Sequence, residues 1–109
     1  MNVLTLARFL RKLKPLAKKY PSLKSEIREL GESLSENPRQ GIFIGRNCYK
    51  IRLAIASKGR GKSAGGRVVT CLKVEQDTIY LIDIYDKADR QNLPDFELDE
   101  ILKEAGLFP

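Results

Sequence analysis

The sequence predicts an α+β fold: an N-terminal helical hairpin packed on a roughly four-stranded antiparallel sheet, followed by a short C-terminal helix. Three observations predict it. Apolar residues recur at three- and four-residue steps up to about Asn37, they alternate in strand fashion from Ile42 to Tyr85, and they return to helical spacing in an acidic tail. At 109 residues the chain suits one domain over 1–109 with one core.

From Thr5 to Tyr20, Leu6, Phe9, Leu10, Leu13, Leu16, Ala17 and Tyr20 form an apolar stripe with Arg8, Arg11, Lys12, Lys14, Lys18 and Lys19 between them. That is an amphipathic helix, and Pro15 inside it removes a backbone donor, so a kink or short break is expected there. Ser22 is the expected cap of a second helix, with a stripe of Leu23, Ile27, Leu30 and Leu34. Asn37-Pro38 ends it, because the residue before proline avoids helical dihedrals. The short Pro-Ser punctuation makes the two helices an antiparallel hairpin.

After Gly41 the period changes. Ile42 to Ile44 reads as a short strand, Gly45-Arg46-Asn47 as a turn, and Cys48 to Ala56 as a second strand with Tyr49, Ile51, Leu53 and Ile55 on one side. Lys50 and Arg52 then share the opposite side. Arg67 to Glu75 is a third strand and Thr78 to Tyr85 a fourth, so rich in β-branched and aromatic residues that it belongs inside the sheet. The tail from Pro94 to Leu107 is helical and stops at Gly106. The helices are expected to cover one face of the sheet.

With 42% apolar and 31% charged residues, the composition is neither that of a disordered chain nor that of a membrane protein. The amphipathic N-terminus lacks the features of a signal peptide, so a cytoplasmic address is expected. Cys48 and Cys71 sit in separate strands without histidine nearby and are read as reduced core residues; no metal site or cofactor is expected. Charge is unevenly spread, with a net +13 over residues 1–74 and −7 over 75–109. A basic face on a small domain points to an anionic partner, most often nucleic acid.

The stretch KGRGKSAGGRVV, Lys58 to Val69, concentrates this question. A phosphate-cradling P-loop needs GxxxxGK[ST] leading into a helix, but Ala56 stands at the first glycine position and a strand follows. Nucleotide hydrolysis is therefore disfavoured. A solvated hairpin loop explains the glycines, yet Arg46, Lys50, Arg52, Lys58, Arg60, Lys62 and Arg67 make residues 46–67 wholly basic. Like charges on neighbouring strands repel, which makes sense if an anion is to meet them.

The order of a basic helix, KKYPSL, a second helix, then GIFIGRNCYKIRL, KGRGKSAGGRVV and YLIDIYDKADRQNL resembles the RelE/ParE superfamily of bacterial toxins from type II toxin–antitoxin modules, nearly end to end. The most telling piece, NCYKIRL followed by GKSAGGRVV, is similar to RelE-like or HigB-like members. The resemblance implies an endoribonuclease that enters the ribosomal A site and cuts mRNA. It also implies a cognate antitoxin partner, through which alone operator DNA is reached, and no membrane. By position, Lys50 and Arg52 match the family's catalytic basic pair and Arg67 its phosphate-stabilising arginine. Lys87 falls where the family often has an arginine near the leaving group. The tyrosine that commonly follows is absent: the segment reads ADRQNLPDF, with Leu93 near that place.

Cleaving RNA with its own 2′-hydroxyl requires removing that proton, stabilising a more negative phosphorane and protonating the 5′-oxygen. The chain has no histidine, and the basic strand face offers no carboxylate cluster for magnesium. Lysine, arginine and tyrosine remain. Lys50 is the candidate proton-transfer group, since a lysine among cations exchanges protons more readily while arginine stays charged as a clamp. Tyr85, beside Lys87, is the candidate substitute for the missing tyrosine, against a competing reading as a core residue. Arg46, Lys58, Arg60 and Lys62 are read as RNA or ribosomal phosphate contacts. Two rival readings stand beside the nuclease: a ParE-like inhibitor of DNA gyrase, and a non-catalytic member that only binds an antitoxin.

Overall fold

A computed structural model of the protein describes residues 1–58 and 64–109. In chain order the elements are β1 (Asn2–Thr5), α1 (Ala7–Lys19), α2 (Leu23–Glu36), β2 (Ile42–Gly45), β3 (Cys48–Leu53), β4 (Gly66–Lys73), β5 (Thr78–Asp86) and α3 (Asp95–Glu104). The class is α+β, as expected. Among the described residues the sheet has five strands in the order β1-β5-β4-β3-β2.

The fifth strand is β1, which pairs in parallel with Thr78–Leu81 of β5. The sequence reading missed it because four residues carry no period, and Leu6 and Leu10 fit the helical pattern that follows. The edge of β5, not local propensity, makes Asn2–Thr5 extended. With β1 on one side and β4 on the other, β5 lies inside the sheet as predicted. Where β1 ends, Leu6 N–H donates to the Leu81 carbonyl at 3.1 Å. Opposite that point the β4–β5 register shifts, from Thr70↔Leu81 to Val69↔Asp83, leaving Ile82 as an extra residue. Such a bulge reverses which side chains face which side beyond it. It puts Asp83 and Tyr85 on the same face as Val69 and Arg67.

The helices occupy both faces of the sheet, not one. On the first, Phe9 and Tyr20 of the N-terminal region and Leu23, Leu30 and Leu34 of α2 pack with Ile51, Leu53, Val68, Leu72, Ile79, Leu81 and Ile84. On the second, Leu98, Ile101 and Leu102 of α3 pack with Cys48, Val69, Cys71, Ile82 and Tyr85. The reason is the strand pattern: β4 is buried along its whole length, so each of its two side-chain rows needs a cover. Burying a Leu or Ile on either face contributes about 1.5–3 kcal/mol, so neither layer is dispensable.

Local details depart from expectation in instructive ways. α1 runs unbroken through Pro15. Ser22 does stand at the start of α2, but its hydroxyl donates to Glu26 Oε1 at 3.1 Å instead of capping the helix backbone. The Ser57 N–H donates back to that hydroxyl, tying the helical hairpin to the segment after β3. Arg46 and Asn47 both have positive φ, 56° and 63°, the signature of a tight type I′ hairpin between β2 and β3. α3 ends as predicted at Gly106, whose φ of 72° allows Leu107 N–H to reach back to the Leu102 carbonyl at 2.8 Å. Cys48 and Cys71 are free, buried and directly opposite each other on β3 and β4. No helix among the described residues is long and apolar enough to cross a membrane.

Candidate functional site

Strand alternation places Lys50 and Arg52 on the α3 side of the sheet, opposite in direction to Tyr49, Ile51 and Leu53. Antiparallel pairing then sets Arg52 directly across from Arg67 on β4, and Arg67 across from Tyr85 on β5. Lys50 stands one pleat further along, opposite Val69. Lys87 follows β5, its N–H donating to the Gly65 carbonyl at 3.1 Å. Four cations expected from separate stretches of the chain, Lys50, Arg52, Arg67 and Lys87, therefore meet at one end of one sheet face.

Their environments differ. Arg52 is exposed and Lys50 and Lys87 are half-buried, whereas Arg67 is only 5% exposed, its Nη1 donating to the Gly66 carbonyl at 3.0 Å. Both lysines are held by uncharged oxygens: Lys50 Nζ donates to Asn92 Oδ1 at 3.2 Å and Lys87 Nζ to the Gln91 carbonyl at 2.6 Å. The pKa of Lys87 is lowered, first by loss of surrounding water and then by repulsion from Arg67, Lys50 and Arg52. Its charge is the one the cluster disfavours, so its proton is released more easily than that of an ordinary lysine.

Other expected contacts are used inside the fold. Arg46 pairs with Asp99 through Nε and lies 3.9 Å from Asp95, so it clasps the β2–β3 turn to α3. Lys58 has a side chain only 9% exposed and donates to Asp86 Oδ1 at 2.6 Å. It also donates to the Ala64 carbonyl at 2.8 Å, closing the base of the glycine-rich loop. Arg46 and Lys58, both offered by the sequence as nucleic-acid contacts, are thus each paired with a carboxylate far away in sequence. Arg60 and Lys62 lie outside the described residues. Gly65 has a packing reason, because a Cβ there would come within 2.1 Å of the Leu53 carbonyl.

Asp86 anchors this second set. Burial works to raise its pKa, but hydrogen bonds from Lys58, the Tyr20 hydroxyl at 2.6 Å and the Ala88 N–H outweigh it and bring the value to about 2. Tyr85 is 3% exposed, its ring lying between Lys12 and Arg90 at 6.0 and 5.7 Å. Burial raises its pKa, and among the described residues its hydroxyl has no hydrogen-bond partner. The competing reading of Tyr85 as a core residue is the one its placement fits. Leu93, at the place of the absent tyrosine, is buried against α3. Sequence reasoning missed Asn92 altogether; its only signal was its neighbourhood in ADRQNLPDF.

A groove of about 640 Å³ runs between α2 and β3, with Lys50 and Arg52 on one wall. Glu26 and Glu29 line the other wall, which sets it apart from a phosphate track. No protein-family model matches the chain. Among solved structures it is similar to the isolated E. coli RelE toxin, with 20% identity, a TM-score of 0.54, and 95% of this chain and 97% of that one covered. A double arginine-to-alanine mutant of E. coli RelE in the free state is similar at 20% identity and TM-score 0.56, covering 96% of this chain and 93% of that one. The chain has the RelE fold. Its two N-terminal helices, mostly antiparallel five-stranded sheet and C-terminal helix carry that likeness over nearly the full length.

Proposed function

We propose that this RelE-like protein is the toxin of a type II toxin–antitoxin pair and a ribosome-dependent endoribonuclease that cuts mRNA in the A site without a metal, held inactive by its cognate antitoxin. The observation that carries the reading is the cluster itself: Arg52 facing Arg67 across β3–β4, with Lys50 and Lys87 beside them. Such a concentration of positive charge on one sheet face suits a phosphodiester.

In the proposed reaction Lys50 takes the proton from the RNA 2′-hydroxyl, and the oxygen attacks the adjacent phosphorus. Arg52 and Arg67 clamp the non-bridging oxygens as negative charge grows on them; arginine suits this because it presents paired donors and never gives up its charge. Lys87 passes its weakly held proton to the departing 5′-oxygen, leaving a 2′,3′-cyclic phosphate on one fragment and a 5′-hydroxyl on the other. Tyr85 has no proton-transfer role in this scheme, since its hydroxyl is buried.

The deciding experiment incubates the protein with programmed ribosomes in EDTA and maps the mRNA ends. Cuts within the A-site codon, bearing 2′,3′-cyclic phosphate and lost on Lys50→Ala with Arg67→Ala, are the expected result. Intact mRNA in cells arrested with relaxed DNA would instead point to gyrase. Unimpaired growth on expression would leave only antitoxin binding.

A further inference from the structure

We propose that Asn92 is a positioning residue for Lys50, its side-chain carbonyl orienting the lysine within the cationic cluster without bringing a charge of its own. The functional part of this inference rests on the reading of that cluster as the RNA-cleaving centre; the contact itself does not.

Asn92 Oδ1 accepts from Lys50 Nζ at 3.2 Å, and a lysine donor requires that the amide turn its oxygen, not its nitrogen, toward the cluster. Although Asn92 is exposed, its backbone is fixed from both sides. Its own carbonyl accepts from Arg90 Nε at 3.0 Å. The Arg90 guanidinium in turn grips both oxygens of Glu97 on α3, at 3.0 and 3.1 Å. The next residue, Leu93, is buried in the α3-side core, and the preceding one, Gln91, supplies the carbonyl that holds Lys87. One short segment thus hands two neutral oxygens to two lysines.

Neutrality is the point. A lysine on a flexible four-carbon stem needs a fixed acceptor to be held in one place. A carboxylate in that position would favour the charged lysine and cancel part of the field meant for phosphate, whereas an amide orients the lysine without adding a charge. Among the described residues the charged groups near Lys50 include Lys87 after β5, Arg52 two residues along the same strand, and Glu26 and Glu29 of α2 in the groove that Lys50 also lines; the β2 residue facing it, Ile42, is uncharged. The buried Leu93 thus anchors the segment that turns the neighbouring amide toward the site.

The test compares the full-length protein with Asn92→Ala and Asn92→Asp, each checked for an unchanged circular dichroism spectrum. It measures single-turnover cleavage on programmed ribosomes across pH, ribosome affinity, and the NMR titration of the Lys50 side chain, assigned by its loss in Lys50→Arg. Asn92→Ala is expected to slow cleavage about tenfold, as for loss of one oriented neutral contact, with affinity and pH profile kept. Asn92→Asp is expected to move both the Lys50 titration and the rising limb of the rate profile upward by about one pH unit, as a new adjacent charge does. A Lys50 titration identical in wild type and Asn92→Asp overturns the contact. An altered titration with a wild-type protein that never cuts RNA upholds the contact and removes the ribonuclease reading. Wild-type cleavage that neither variant changes removes the positioning role and keeps that reading.

Discussion

Two sets of cations share this small molecule, and they are held in different ways. Arg46 and Lys58 meet carboxylates from the acidic C-terminal third, Asp99 and Asp86, and so stitch loops to the sheet. Among the described residues Lys50 and Lys87 donate to the neutral oxygens of Asn92 and Gln91, and Lys87 stands close to Arg52 and Arg67. The difference teaches that a count of basic residues is a poor guide to a binding surface. What matters is which charges the fold has already answered. A charge paired inside the protein contributes stability; one held by a neutral acceptor keeps its field for a ligand.

The contrast breaks most sharply under the double variant Lys50→Ala with Arg67→Ala. Cleavage should fall at least a thousandfold, in line with the loss of a transition-state donor and a proton-transfer group, while the circular dichroism spectrum is retained; a folded double variant that still arrests growth would sink the site. Next in size is Lys87→Arg, which keeps the charge but cannot exchange the proton. It should lower the single-turnover rate about a hundredfold with ribosome affinity within twofold, and equal losses in rate and affinity would recast Lys87 as a binding group.

The paired set should answer in stability instead. Lys58→Ala strands the buried Asp86 and is expected to cost about 3 kcal/mol in urea unfolding. The sign with pH follows from the lowered pKa of Asp86, about 2 in the fold. Its contribution is fully present above the ordinary carboxylate range and is lost as pH falls through that folded value, so the gap between wild type and Asp86→Asn should close between about pH 4 and pH 2. The smallest effect belongs to Arg46→Ala, a partly exposed pair with Asp99, at about 1 kcal/mol or less and with cleavage unchanged within twofold. A large loss of cleavage there would erase the distinction between the two sets.

Much of this was legible in the chain. The helical stripe of Leu23, Leu30 and Leu34, the alternation through NCYKIRL and the dense strand TIYLIDIY each carry their period locally, because neighbouring side chains must share a face to be buried together. Lys50 and Arg52 on one side of a strand followed from the same period of two. β1 was not legible, since four residues have no period and the strand exists through its pairing with β5. The second helical layer was not legible either, because the acidic tail shows a stripe but not which sheet face receives it. Asn92 was invisible for a third reason: a single polar residue in a turn-rich segment looks like any other.

The sequence by itself determined the α+β class, the helical hairpin with its basic first helix and the sidedness of Lys50 and Arg52, all consequences of local periodicity and chain polarity. Only the tertiary structure decided which cations stay available. Arg46 finds Asp99 and Lys58 finds Asp86 across 53 and 28 residues of chain, and no local pattern encodes such meetings. The β5 bulge and the packing of α3 bring those partners together, and they are properties of the closed sheet.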